Sequence, residues 1–206
     1  PDSKNVGPAM ASFKPHFLLA VPRVFEKVYN SAEQKAEAGG KGNIFRAAAQ
    51  TAIEYSKAEM AGHIPLGLKL KFAVMDKLVL SKLRAALGGR CTYAISGSAP
   101  LGDRLGHFYH ALGLVVLEGY GLTEASPVIS MSVGRTVHVG SIGHVLPGIE
   151  LRLVDENGDD AESGDSGEIW VRGDNVFRGY LRDEEATARV ITPEGWLRTG
   201  DVAVRD

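Results

Sequence analysis

The sequence predicts an α/β fold in which a portion of a parallel-sheet subdomain is followed by a small antiparallel β lobe. The first part rests on a strand–helix–strand pattern over residues 91–117, which places two strands in parallel with a helix crossing between them. The second part rests on alternating apolar and polar residues from residue 149 onward. We divide the chain into an α/β portion with a helical insertion at 1–135 and a β lobe at 136–206.

The α/β portion begins with a strand and three helices. The apolar run from Phe17 to Val21 predicts a buried strand, and Pro22 suits the first turn of the next helix. Glycine-containing turns separate the helices, which we predict at residues 22–38, 44–61 and 68–87. The last helix has a surplus of lysine and arginine. Such a surplus usually marks a solvated face, but it leaves open contact with an acidic partner, a coenzyme phosphate or a membrane surface.

The crossover unit is the clearest pattern in the chain. It consists of a strand from Cys91 to Ile95, a helix from Pro100 to Leu112 and a strand from Leu114 to Leu117. Gly113 stands where a left-handed helix cap is expected. Because both strands run the same way, the loops at 96–100 and 119–124 should emerge at the same carboxyl edge, where open α/β sheets bind ligands.

The β lobe is predicted from shorter signals. Residues 149–153 and 168–172 alternate like half-exposed strands, and a turn lies between them at Glu156–Gly158. A short helix follows at 183–190, and the segment after Gly195 leads into a last strand.

Composition places the chain among globular proteins and gives no general attraction to nucleic acid. Of its 206 residues 44% are apolar and 23% are charged, and the net charge is −2. The single cysteine, Cys91, excludes an internal disulfide, and no apolar run approaches the ~18–20 residues of a membrane span. We interpret the chain as cytoplasmic, with peripheral membrane contact and oligomeric state left open. Because it starts at Pro1 and stops in a predicted strand, we expect a piece of a longer enzyme.

The stretch from Leu117 to Pro127 concentrates the chemistry. It packs glycines, a tyrosine, a threonine and a glutamate into a few residues after an apolar strand. Glycine lets backbone approach a ligand, tyrosine offers a face for a base, threonine can bond a phosphate oxygen, and glutamate can hold Mg²⁺. On composition alone, an ordinary glycine-rich turn after a strand remains open.

Two further stretches favour a nucleotide site over an ordinary turn. The segments 96–101 and 196–201, together with the central stretch, resemble three motifs of the adenylate-forming enzymes, which include acyl-CoA synthetases, luciferases and peptide-synthetase adenylation domains. Residues 21–29, followed by the helical insertion, resemble the long-chain fatty acyl-CoA synthetases in particular. Residues 167–173 and 177–180 also resemble family segments. The resemblance covers nearly the whole chain and implies part of the N-terminal domain of such an enzyme.

The resemblance implies a role for each site residue. Tyr120 would stack on adenine, Thr123 would bond the α-phosphate, Glu124 would hold Mg²⁺, and Asp201 would accept hydrogen bonds from both ribose hydroxyls. The opposite wall of the adenine site would be formed by Gly97, Ser98, Ala99 and Pro100. Gly119 and Gly121 would leave room for the carboxylate substrate, and Glu118 would contact the adenine edge.

The implied reaction uses ATP, a fatty acid and coenzyme A. A fatty carboxylate forms acyl-AMP, and the CoA thiolate then displaces AMP, with Thr123 and Glu124 as the catalytic residues of this chain. The family's phosphate loop and its catalytic lysine would lie outside residues 1–206, so we expect little ligase activity from this chain alone. Ser98 stands where glycine is common in the family, and Ala125 where threonine is common.

Two other functional classes stay open. One is an adenylating enzyme for another carboxylic acid, and the other is a nucleotide-binding or interaction module without catalysis. A metal site at His107 and His110, one helical turn apart, is the weaker hypothesis because the sequence shows no third ligand.

Overall fold

A computed structural model describes residues 6–132 and 137–205, the first three of them by backbone alone. The described residues form two compact units, one within 1–118 and 132–141 and one within 119–131 and 142–206. The chain passes from the first unit to the second inside a strand, after Glu118. The predicted domain division at residues 135 and 136 stays a prediction.

The first unit combines a parallel sheet with helices. Its strands are β1 (Phe17–Ala20), β2 (Tyr93–Ser96) and the beginning of β3 (Val115–Gly121), paired in parallel in that order. Its helices are α1 (Val6–Phe13), α2 (Pro22–Ala38), α3 (Gly42–Met60), α4 (Leu66–Met75), α5 (Ser81–Ala86) and α6 (Asp103–Ala111). A π-helical turn, Asp76–Leu80, joins α4 to α5 within the third predicted helix. The predicted β2–α6–β3 crossover is confirmed.

Aromatic rings and small residues form the core of the first unit. The Tyr109 ring meets the Phe25 ring edge-on, and its hydroxyl donates a hydrogen bond to the Phe25 carbonyl at 2.7 Å. Ala48, Ala49 and Ala52 of α3 are buried, which lets this helix approach α6 closely. Gly113 adopts φ +79°, and the amide that follows it bonds the Tyr109 carbonyl, so the predicted left-handed cap is confirmed.

The expectation that β1 is buried is wrong for one of its faces. Leu18 and Ala20 pack against the core, but Phe17 and Leu19 are more than half exposed. Successive side chains of a strand point to opposite faces of the sheet, and the described helices cover one face here. The sequence run is apolar on both sides, so it could not reveal this difference.

The second unit is the predicted antiparallel lobe. The end of β3 pairs with β4 (Val128–Met131), and β4 pairs with β5 (His144–Val145). A three-stranded antiparallel sheet follows, formed by β6 (Ile149–Val154), β7 (Ser166–Gly173) and β8 (Leu197–Val204), with the short helix α7 (Glu184–Val190) between the last two strands. The Asp183 side chain caps α7 by accepting the Ala186 amide at 2.8 Å.

Arginines and tryptophans of the second unit stack on one another. The guanidinium of Arg172 lies 4.5 Å from the centre of the Trp196 ring, and that of Arg198 lies 4.8 Å from the Trp170 ring. Arg172 is also held by Glu150 at 2.6 Å. Cation–π contacts of this kind stabilise a partly exposed sheet by roughly 0.5–1 kcal/mol each.

Candidate functional site

Tyr120 and Asp201 meet within the second unit. Tyr120 is the next-to-last residue of β3, Asp201 lies in β8, and the tyrosine hydroxyl donates a hydrogen bond to Asp201 Oδ2 at 2.7 Å. Burial, with the nearby carboxylate adding to it, raises the pKa of Tyr120. The hydroxyl is protonated at neutral pH, as in any tyrosine of ordinary or raised pKa, and can donate this hydrogen bond. The two residues predicted to contact adenine and ribose are neighbours.

The backbone beside Asp201 is fixed by local hydrogen bonds. Gly200 has φ +76°, and its amide bonds Glu168 Oε1 at 2.9 Å. The Thr199 hydroxyl donates to the Ile169 carbonyl at 2.8 Å and accepts the Asp201 amide at 3.1 Å. A register shift in β7 between Glu168 and Trp170 accompanies these bonds. Together they fix the backbone from which the exposed Asp201 carboxylate projects.

Glu124 lies in a single 3₁₀ turn, Thr123–Ala125, which begins one residue after the end of β3. Its Oε1 atom accepts a hydrogen bond from the Tyr180 hydroxyl at 2.9 Å, and its carbonyl accepts the Phe177 amide at 2.7 Å. The hydrogen bond to Glu124 raises the pKa of Tyr180. Thr123 is exposed, whereas Ala125 is fully buried and anchors the turn in the core.

The central stretch is less of a loop than the sequence suggests. The prediction of a loop from Gly119 is wrong, because β3 continues through Gly121 and pairs with β4. A Cβ atom at Gly121 would collide with the Pro127 carbonyl, whereas one at Gly119 would have ordinary contacts, the nearest at 3.5 Å from Ser130 O. Backbone crowding therefore explains the glycine at 121. The role predicted for both glycines in admitting substrate stays a prediction.

The Gly97–Pro100 loop and Glu118 belong to the first unit. Glu118 Oε2 accepts the Leu101 amide at 3.0 Å and so ties the end of this loop to β3. Ser98 has φ +72°, a left-handed conformation that explains why glycine is common at its position in the resembling family. The contact of Glu118 with adenine and the wall formed by Gly97, Ser98, Ala99 and Pro100 stay predictions.

Sequence reasoning missed Tyr180. The resemblance covers the segment 177–180 but assigns it no role, and Tyr180 lies 56 residues from Glu124 in the sequence, so no local pattern indicates their contact. Thr199 lies in the motif 196–201, but the sequence does not indicate the hydrogen bonds that its hydroxyl makes beside Asp201.

Glu124 suits a magnesium ion bound together with phosphates. Mg²⁺ is usually held through one or two carboxylates plus substrate phosphates, and Glu124 Oε2 accepts no hydrogen bond from the described residues. Over the same residues no cluster of three or more His, Cys, Asp or Glu side chains could hold a metal on its own. Residues 6–132 and 137–205 also contain no helix long and apolar enough to cross a membrane.

His107 and His110 are engaged with a buried hydroxyl. Both Nδ1 atoms lie 3.0 Å from the Oγ atom of Ser56, which is fully buried in α3. Burial, with Lys57 adding to it, lowers the pKa of His107. The pair therefore joins α6 to α3.

The family of the chain is shown by its match to a family model. The chain belongs to the AMP-binding enzyme family, which matches residues 2–181. The family expected from the three motifs is thereby confirmed, and so is the predicted fold class.

Curated relatives point to one branch of this family. The chain is 50% identical over 205 residues to the long-chain-fatty-acid–CoA ligase FadD15 of Mycobacterium bovis, covering 100% of this chain and 32% of the relative. It is 36% identical over 200 residues to long chain acyl-CoA synthetase 3 of Arabidopsis thaliana, covering 94% of this chain and 29% of the relative. The chain thus spans about a third of the length of these relatives.

Solved structures share the fold. An anthranilate CoA ligase, AuaEII, in complex with anthranoyl-AMP matches with a TM-score of 0.64 at 20% identity, over 100% of this chain and 30% of that one. A malonyl-CoA ligase with methylmalonyl-CoA and AMP bound matches with a TM-score of 0.62 at 25% identity, over 100% of this chain and 34% of that one.

Proposed function

We propose that this chain supplies nucleotide-binding residues to a long-chain fatty acid–CoA ligase. The Tyr120–Asp201 pair carries the proposal, because it sets an aromatic face beside a carboxylate in a chain of the AMP-binding family. The 50% identity to a long-chain-fatty-acid–CoA ligase supports the fatty acid as substrate, with ATP and CoA as co-substrates.

Each residue has a defined part in this proposal. Tyr120 stacks on adenine, and Asp201 Oδ2 exchanges the tyrosine hydroxyl for the ribose hydroxyls, which are also donors. Gly97, Ser98, Ala99 and Pro100 form the other wall of the adenine site, and Glu118 fixes their loop through the Leu101 amide. Thr123 donates to the α-phosphate, and Gly119 and Gly121 border the carboxylate substrate.

The reaction is nucleophilic at both steps. A fatty carboxylate oxygen attacks the α-phosphorus of ATP, the bond to pyrophosphate breaks, and acyl-AMP forms. The CoA thiolate then attacks the acyl carbon and AMP leaves. When bound, Mg²⁺ would supply positive charge against the phosphate oxygens, and Glu124 would hold it. Neither step needs a nucleophile from the protein, so binding and orientation are the contribution of this chain.

The proposed ligase activity is that of a longer enzyme, since this chain spans about a third of the length of its relatives. The chain alone should release little pyrophosphate, because the residues that grip the triphosphate in the resembling family have no counterpart in the sequence. The alternatives are an adenylating enzyme for another acid and a nucleotide-binding module without catalysis.

Calorimetric titration with a non-hydrolysable palmitoyl-adenylate mimic tests the proposal. We expect Asp201→Ala to weaken binding at least about tenfold, because a charge-assisted bidentate contact is lost. Asp174→Ala, at another exposed aspartate, should bind like the original chain. Equal binding by an acetyl-adenylate mimic would refute the long-chain assignment, and the absence of binding to either mimic would refute the nucleotide site.

A second proposal concerns peripheral membrane contact by the helical stretch 66–86. Four apolar side chains face outward at four-residue spacing, with exposed fractions of 85, 71, 49 and 51% for Leu66, Leu70, Val74 and Leu78. The exposed positions also carry Lys69, Lys71, Lys77 and Lys82 and no carboxylate. The acid of this stretch, Asp76, is paired with Arg84 at 2.7 Å.

This combination favours an anionic lipid surface over a protein partner. The inward side of the same stretch is already packed against the core, so the outer apolar side is left exposed to solvent or to a binding surface. Lysines rarely become fully buried between proteins, but at a membrane their stems lie along the apolar region and their charges meet lipid phosphates.

A further inference from the structure

Three contacts hold the Glu124 turn against the segment Asn175–Tyr180. The Tyr180 hydroxyl donates to Glu124 Oε1 at 2.9 Å, and the Phe177 amide donates to the Glu124 carbonyl at 2.7 Å. The Asn175 side-chain amide donates to the Ala125 carbonyl at 3.0 Å. Both the backbone and the carboxylate of Glu124 are therefore fixed by a segment more than 50 residues away.

Tyr180 is itself held firmly. Its amide donates to Thr187 Oγ1 at 2.9 Å, and its ring meets the Phe177 ring edge-on at 4.9 Å. Gly179 lies against the same threonine, since a Cβ atom there would come within 2.7 Å of the Thr187 side chain. The position of the Tyr180 hydroxyl is thus set by its own segment and by α7.

We propose that Tyr180 is a positioning residue that orients the Glu124 carboxylate for a nucleotide-bound divalent cation. Its hydroxyl occupies one carboxylate oxygen and leaves Oε2 to meet the cation. A carboxylate restricted to one orientation loses less rotamer freedom on binding. Hydrogen bonds to the ligating groups usually matter for metal affinity, with losses of about 10–100-fold when they are removed.

The inference rests on the proposed function, since it assumes that Glu124 meets a cation bound to the nucleotide. It adds a residue for which sequence reasoning gave no role. It also predicts that removing the Tyr180 hydroxyl weakens cation binding. If the hydroxyl merely competed with the cation for Glu124, its removal would strengthen cation binding.

The test measures the magnesium dependence of ATP binding by titration calorimetry on the 206-residue chain. ATP affinity is determined with excess Mg²⁺ and again with EDTA, and the ratio of the two affinities is the magnesium increment. A merely structural role of Tyr180 would lower both affinities and leave this ratio unchanged.

Tyr180→Phe keeps the ring and removes the hydroxyl. We expect it to reduce the magnesium increment by about tenfold, the low end of the range, because Tyr180 is 38% exposed and water can replace it in part. ATP affinity in EDTA should not change. Glu124→Gln should reduce the increment to one, and Tyr93→Phe, at another exposed tyrosine, should leave it at the original value.

The outcomes separate the two proposals. An unchanged or larger increment in Tyr180→Phe would overturn the positioning role while the nucleotide site stands. An original chain that binds ATP without any magnesium increment would also overturn it and would remove Glu124 from the metal site. No ATP binding under either condition would overturn the claim that this chain holds a nucleotide site by itself, and with it the inference.

Discussion

At the scale of single residues, the site is organised by tyrosine–carboxylate pairs. Tyr120 meets Asp201 and Tyr180 meets Glu124, and in each pair a hydroxyl that donates a hydrogen bond lies on an acid expected to meet the nucleotide. Such pairs keep carboxylates solvated and oriented without burying their charge.

Gly121 provides a prediction with a control in the same strand. We expect Gly121→Ala to lower the free energy of unfolding by about 1–3 kcal/mol, because its Cβ atom would collide with the Pro127 carbonyl and move β3 or β4. Gly119→Ala should change it by less than about 1 kcal/mol. Urea unfolding of both variants checks this, and equal effects would show that crowding does not select glycine at 121.

His107 provides a prediction about pH. Its pKa is lowered in the folded chain from the ordinary value of 6.5, so below that pH the unfolded chain binds the proton more readily and stability falls. The groups acting on His107 are Lys57, Asp103 and His110.

We expect His107→Gln to lose less stability than the original chain as the pH falls below 6.5. Unfolding in urea at a series of pH values measures this, and His63→Gln at an exposed histidine is the control. Parallel pH profiles for His107→Gln and the original chain would contradict the prediction.

At the scale of elements, the outward side of residues 66–86 provides the membrane prediction. We expect Leu70→Ala combined with Leu78→Ala to reduce co-sedimentation with vesicles of phosphatidylglycerol and phosphatidylcholine severalfold, because less apolar area enters the lipid. Leu181→Ala removes a leucine that is 91% exposed in the second unit and should have no effect.

Lipid composition separates the charge effect from the apolar effect. The original chain should sediment less with pure phosphatidylcholine, and added salt should weaken its binding to the anionic vesicles. Equal binding by the leucine variant would contradict the assignment of this helical stretch. Circular dichroism checks that the helices are retained.

Element order could be predicted where periodicity is local. The β2–α6–β3 crossover and the antiparallel lobe follow from spacing and glycines within about thirty residues. The extension of β3 to Gly121 depends on its pairing with β4 a few residues later, and the glycine-containing stretch between them is equally typical of a loop. The exposure of Phe17 depends on packing by elements far along the chain, so no local pattern contains it. The contact of Tyr180 with Glu124 is of the same kind.

At the scale of the whole molecule, the residues predicted to bind the nucleotide do not all belong to the same compact unit. Tyr120, Thr123, Glu124 and Asp201 belong to the second unit, while the Gly97–Pro100 loop and Glu118 belong to the first. The motifs could be recognised from the sequence because residue types and order suffice for that. Their hydrogen-bond partners could not, since orientation depends on packing.

The placement of the tryptophans allows the second unit to be followed separately by fluorescence. Both tryptophans of the chain, Trp170 and Trp196, lie in that unit beneath arginines. Of the seven α-helices found in residues 6–132 and 137–205, six, including all the long ones, lie in the first unit. Emission excited at about 295 nm therefore reports the β lobe alone, and ellipticity at about 222 nm reports mainly the helical unit. Melting curves recorded at the two wavelengths would show, without any label, whether the halves of this chain lose their structure together.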